Sequence, residues 1–135
     1  KKLKEASSIS IIADESIRNL TDFDKIKENV DGINLKLWKA GDPMEVISLG
    51  VKARTHGLVV MIGCSGETNL GITADTYLAS VIPVDFADLD SDILLEDKIS
   101  KKTLIANSFR ILPSGKGLGF SRDDIPRDFK LIEQI

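Results

Sequence analysis

The residues best equipped for chemistry fall in four clusters. Asp14-Glu15 places two carboxylates together. Lys36 interrupts the apolar run Ile33-Asn34-Leu35-Lys36-Leu37, with Lys39 three residues on. Cys64-Ser65 precedes Glu67, and Asp88 and Asp90 flank a leucine. A lysine among buried apolar residues needs a partner or a task, because burying an unpaired ammonium is costly. It is one half of an ion pair, part of a strand that is really an exposed edge, or a general acid/base. Asp14 and Glu15 on their own read as a helix N-cap or a surface ion pair. Asp88 and Asp90, at i and i+2, share one face if the chain is extended there, and two carboxylates on one face suit an ammonium group. Cys64 and Ser65 are nucleophile types without a histidine close by to act as their base, so substrate contacts fit them better. His56, the one histidine, follows a helical stretch and precedes an apolar run, where it suits a helix C-terminus rather than the chemistry.

The same element precedes each cluster. Ser8–Ala13, Gly32–Leu37, Leu58–Ile62 and Val81–Ala87 are short, nearly continuous apolar runs, as in strands buried on both faces. Helical patterns lie between them. Thr21-Asp22-Phe23-Asp24 carries N-cap and acidic first-turn chemistry, and Asp42-Pro43 sets a cap before a first-position proline. Gly57 stops that second helix, and Thr68–Ser80 is amphipathic. From Asp14 to Lys36 is 22 residues, from Lys36 to Cys64 is 28, and from Cys64 to Asp88 is 24, one βα step each. Such alternation predicts a parallel α/β sheet with right-handed crossovers and with chemistry at the C-terminal ends of its strands. Beyond Asp90 the period stops. Glu96–Lys102 is a charged connector, Thr103–Leu112 is one or two strand pieces, and Pro113–Gly119 is turn-forming.

Composition narrows the function. The chain has 135 residues, 18 basic and 21 acidic, and a net charge of −3, which gives no general electrostatic reason to bind nucleic acid or an anionic membrane. At 42% hydrophobic residues and a mean hydropathy of zero it is globular material, and no apolar run nears the roughly 20 residues of a spanning helix. One cysteine makes no intramolecular disulfide, so a cytoplasmic setting is expected. A complete (β/α)8 barrel takes about 250 residues, so this length holds only part of one.

Ala13-Asp14-Glu15-Ser16 and Ile33-Asn34-Leu35-Lys36-Leu37 with Lys39-Ala40-Gly41 resemble strands five and six of the enolase-superfamily barrel, in its muconate-lactonizing subgroup. Met61–Thr68 with Gly71-Ile72 resembles the seventh strand and helix. Asp88-Leu89-Asp90 resembles the eighth-strand motif of the dipeptide epimerases, and Gly117-Leu118-Gly119 the family's C-terminal segment. The resemblance implies the C-terminal half of a (β/α)8 TIM-type barrel over residues 1–90, with 91–135 an extension that would pack on a capping domain.

It implies an isomerase acting by 1,1-proton transfer at the α-carbon of a dipeptide's C-terminal residue. Lys36 would be the catalytic acid/base, its pKa lowered by nearby positive charge, and Asp14 a ligand of Mg2+. Glu15 and Glu67 would orient these groups, Cys64 and Ser65 would contact substrate, and Asp88 and Asp90 would hold the dipeptide ammonium. Lys39 is expected in the loop or at the surface. The family's second lysine, two further metal carboxylates and the cap would come from an N-terminal half. The chain alone is therefore expected to be inactive and to self-associate, and the full-length parent to be a homo-oligomer. A muconate cycloisomerase or o-succinylbenzoate synthase, or a non-catalytic βα domain, are the other readings.

Overall fold

The computed structural model describes residues 2–96 and 104–124. Short helix α1 (Lys2–Ala6) leads into β1 (Ile12–Ala13), α2 (Leu20–Ile26) with a 3-10 turn at Lys27–Asn29, β2 (Gly32–Leu35), the single turn α3 (Leu37–Ala40), and α4 (Pro43–Thr55). Then come β3 (Val59–Gly63), α5 (Asn69–Val81), β4 (Phe86–Asp88), a 3-10 turn at Ser91–Ile93, the strands β5 (Leu104–Ala106) and β6 (Phe109–Ile111), and a last 3-10 turn at Arg122–Asp124.

The four sheet strands run parallel in the order β1-β2-β3-β4. Spatial order follows chain order, so every crossover steps the same way. With right-handed connections this sends the helices to one face, as in a barrel wall rather than a doubly wound sheet. That face carries the core. Ile33, Leu35, Val60 and Ile62 pack under Phe23, Val46, Leu49 and Ile72, all buried. Gly50 lets α4 lie close, since a Cβ there would meet Ile82 Cγ2 at 2.4 Å.

Local chemistry sets the helix ends. Asp42 accepts from the Met44 N–H at 2.8 Å and Pro43 opens α4. Gly57, at φ +69°, ends the helix and turns the chain into β3. The cap of α2 is Asn19, whose side chain accepts from Asp22 N–H at 2.9 Å, rather than the expected Thr21. The expected fourth strand over Val81–Ala87 is shortened, because α5 runs on to Val81 and pairing with β3 begins only at Phe86.

The extension forms an antiparallel hairpin of its own, β5–β6, through the two-residue turn Asn107-Ser108 with φ 50° and 66°. Of the expected connector and strand pieces, residues 97–103 lie outside the described residues. Arg110 clamps the hairpin to the sheet end through both oxygens of buried Asp92, which also accepts from Asn69 Nδ2 at 2.9 Å.

The Asp42 cap yields a direct test. Asp42→Ala should cost about 1 kcal/mol of stability in urea unfolding, while Asp42→Ser should cost only a fraction of that.

Candidate active site

Strand periodicity sets the site. β1 to β4 stand in register, so Asn34 and Met61 share a row on the face away from the helices, and Asp14, one residue past β1, ends in the same row. Two residues further along are Lys36, Gly63 and Asp88. Gly63 is required there, because a Cβ would lie 2.8 Å from Asn34 Oδ1.

Asp14 is the hub. Lys36 Nζ lies 3.0 Å from its Oδ2, and Asn34 Nδ2 donates to the same oxygen at 3.0 Å. Lys39 Nζ donates to Oδ1 at 2.5 Å, to the Asp14 carbonyl at 2.6 Å and to the Asn34 carbonyl at 3.0 Å. All three ammonium protons of Lys39 are thus used, and its side chain is only 4% exposed. Lys39 is therefore no surface lysine. The single turn of α3 brings it back over the strand end, where three acceptors offset the cost of burial.

The electrostatics follow this packing. Burial pushes the Asp14 carboxyl up, but hydrogen bonds from Lys39 and Lys36 outweigh it and hold the group below its usual range. Burial drives Lys39 down. Burial also pulls on Lys36, yet the Asp14 hydrogen bond and charge, with Glu15 and Cys64, prevail and raise it. The expected lowering of Lys36 is therefore not met in this chain. Its direct partner is an anion, and that contact outweighs the burial that would lower it.

The remaining residues divide. Cys64 Sγ lies 3.9 Å from Asp90 Oδ1. Ser65 Oγ accepts from the Trp38 indole N–H at 3.0 Å, and the Ser65 N–H donates to Glu67 Oε1 at 3.0 Å. Glu67 faces Lys36 electrostatically, and burial raises its carboxyl. Glu15 is exposed beside the lysines. Asp88 and Asp90 are exposed and do not share an extended face, since the strand ends at Asp88 and Asp90 turns to φ −122°, ψ −1° ahead of the 3-10 turn. Both still line a cavity of about 510 Å³, with Leu89, Thr76, Phe109 and Arg110. His56 lies at the other end, capping α4 with its ring 5.2 Å from that of Phe23 in an edge contact.

The sequence reading missed Asn34, Trp38 and Asp75. Asn34 carried a signal, being polar within an apolar strand and two residues from Lys36. Asp75 is buried one helical turn beyond Gly71.

The donor chemistry suits one corner of a hard-cation site. Asp14 offers an ionised carboxylate, and Asn34 Oδ1 beside it is buried without a donor among the described residues. Among the described residues no three histidine, cysteine, aspartate or glutamate side chains cluster as a metal site.

A parallel βα array with a carboxylate and two lysines at its strand ends is the framework of an α/β enzyme site. The family model "Enolase C-terminal domain-like" matches residues 1–125, and the chain belongs to that family. It is 38% identical over 89 residues to the hydrophobic dipeptide epimerase of Roseobacter litoralis, a match covering 66% of this chain and 25% of that protein. The substrate-liganded L-Ala-D/L-Glu epimerase from Bacillus subtilis superposes with a TM-score of 0.82 at 30% identity, over 88% of this chain and 34% of that one. The dipeptide epimerase from Cytophaga hutchinsonii, complexed with Mg and the dipeptide D-Ala-L-Val, gives a TM-score of 0.83 at 27% identity, over 90% and 35%. The chain spans about a quarter to a third of the length of these relatives. No described helix is long and apolar enough to cross a membrane.

Asp14→Asn should lower the Lys36 pKa, as followed by NMR of the lysine Cε. The stability that Asp14 supplies should be full above the ordinary carboxyl range and fade as pH falls through its depressed value. An unchanged Lys36 titration would remove Asp14 as its controlling partner.

Proposed function

We propose that the chain is the strand five-to-eight part of a (β/α)8 barrel whose whole is a Mg2+-dependent dipeptide epimerase. The observation that supports this best is the Lys36–Asp14 contact at 3.0 Å, at the C-terminal ends of adjoining parallel strands. The relatives' names and the Mg–dipeptide complex of the Cytophaga neighbour point the same way.

In this reading Lys36 carries the proton to and from the α-carbon of the C-terminal residue. Asp14 would hold Mg2+ together with carboxylates from the N-terminal half, and the ion, when bound, would supply positive charge at the substrate carboxylate. Lys39 keeps Asp14 in place through two hydrogen bonds to it and a third to the Asn34 carbonyl. Glu15 and Glu67 orient the lysines, Cys64 and Ser65 meet the dipeptide, and Asp88 and Asp90 receive its ammonium from a strand end and the turn after it.

The chain alone would not turn over dipeptides. Among the described residues no further strand pairs with the edges β1 and β4, and Phe86, Val81 and Phe109 are each more than 60% exposed. Sedimentation of the isolated chain should therefore show self-association, and a stable 15 kDa monomer would count against the half-barrel reading.

In a longer parent, Lys36→Ala should reduce dipeptide epimerisation about 10²-fold or more while the fold is retained. Asp90→Asn should raise KM for dipeptides. Full activity of Lys36→Ala would overturn the reading, and an unaffected Asp90→Asn would remove the ammonium assignment.

A further inference from the structure

Two acids face each other on the α5 side of the lysines, and the proposed proton transfer does not use their contact. Asp75, within α5, is 1% exposed. Glu67 sits just before that helix. Asp75 Oδ1 and Glu67 Oε2 are both buried, and neither has a donor among the described residues. The two carboxyls stand within hydrogen-bonding reach of one another. A sealed acceptor without a donor is expensive, and two facing carboxylates are more so. A single proton between them removes both costs, since it makes one carboxyl the donor and the other the acceptor.

We propose that Glu67 and Asp75 share one proton, and that this pair positions the loop after β3 against the start of α3. The links run outward from it. Glu67 Oε1 accepts from the Ser65 N–H at 3.0 Å, and Ser91 Oγ bridges the Glu67 N–H and carbonyl, both at 3.0 Å. Asp75 faces the N–H of Leu37, the residue after Lys36. Lys36, at the end of β2, is the charged group facing Glu67, while neighbouring Asp92 is engaged by Arg110 and Asn69.

Burial pushes Asp75 up to about 7, the Glu67 charge and hydrogen bond add to this, and the Leu37 N–H opposes it. Asp75 therefore holds the proton. Because its folded value is raised, the folded chain binds more protons than the unfolded one from the ordinary carboxyl range up to about 7. Stability then falls as pH rises across that window and levels off above it. Asp75 is a positioning residue. Its importance to Lys36 rests on the proposed function, whereas the shared proton does not.

The test uses the 135-residue chain. Trp38 is its single tryptophan, and its indole is bonded to Ser65, so its emission reports the loop. Infrared spectra should show a protonated carboxyl band at about pH 6 that is lost with a midpoint near 7. Asp75→Asn and Glu67→Gln should both remove the band, because each amide can donate in the proton's place. Trp38 emission should shift over the same range in the wild type and in His56→Gln, but not in Asp75→Asn. No band in the wild type at about pH 6, or an emission shift that survives in Asp75→Asn, would overturn the proposal. If Asp75→Asn does not fold, the wild-type band and Glu67→Gln decide it. A parent that shows the band but no epimerisation would sink the proposed function and leave the pair standing.

Discussion

One carboxylate between two ammonium groups organises this end of the molecule. Asp14 ties the end of β1 to Lys36 at the end of β2, to Lys39 on α3 and to Asn34 within β2. β1 contributes only two paired residues, so much of what holds that edge in register comes from Asp14 rather than from the ladder. The contact also sets the charges. It keeps Asp14 ionised and Lys36 protonated, and it leaves Lys39 fully bonded. Sheet order, strand-end polarity and the short helix α3 all serve to assemble these groups on the face away from the core.

The two faces of the sheet differ. The helix side is closed by Phe23, Leu49, Val60, Ile62 and Ile72, as in any α/β layer. On the other side Met61 is only half-buried and Phe86 is largely exposed. Among the described residues nothing covers these apolar side chains, which the proposed barrel would place against its opposite wall. The hairpin lies elsewhere. Arg110 and Asp92 hold it beside Asp88 and Asp90, where it walls the cavity instead.

Periodicity carried the reading far. Four apolar runs at βα spacing specified parallel strands and placed Asp14, Lys36, Cys64 and Asp88 at their ends. Residue type alone misplaced others. Lys39 is on a one-turn helix, and nothing in its neighbours signals that the turn folds it over Asp14. Asp90 follows the strand rule only while the chain stays extended, but buried Leu89 and the 3-10 turn end that. The Lys36 shift depends on which charge is nearest, a distance that spacing does not encode. Asp75 reads as an ordinary polar helix position, and only the fold shows it sealed against Glu67.

The proposed function has the Asp14–Lys36 strand end perform proton transfer at a dipeptide α-carbon once the other half of the site is present. Deuterium wash-in tests this most directly. A parent containing the four preceding βα units should be incubated with a dipeptide and Mg2+ in heavy water. The account predicts that deuterium enters at the α-carbon of the C-terminal residue, and at no other carbon, as that centre epimerises. Epimerisation without α-deuterium, or deuterium at another carbon, would contradict it.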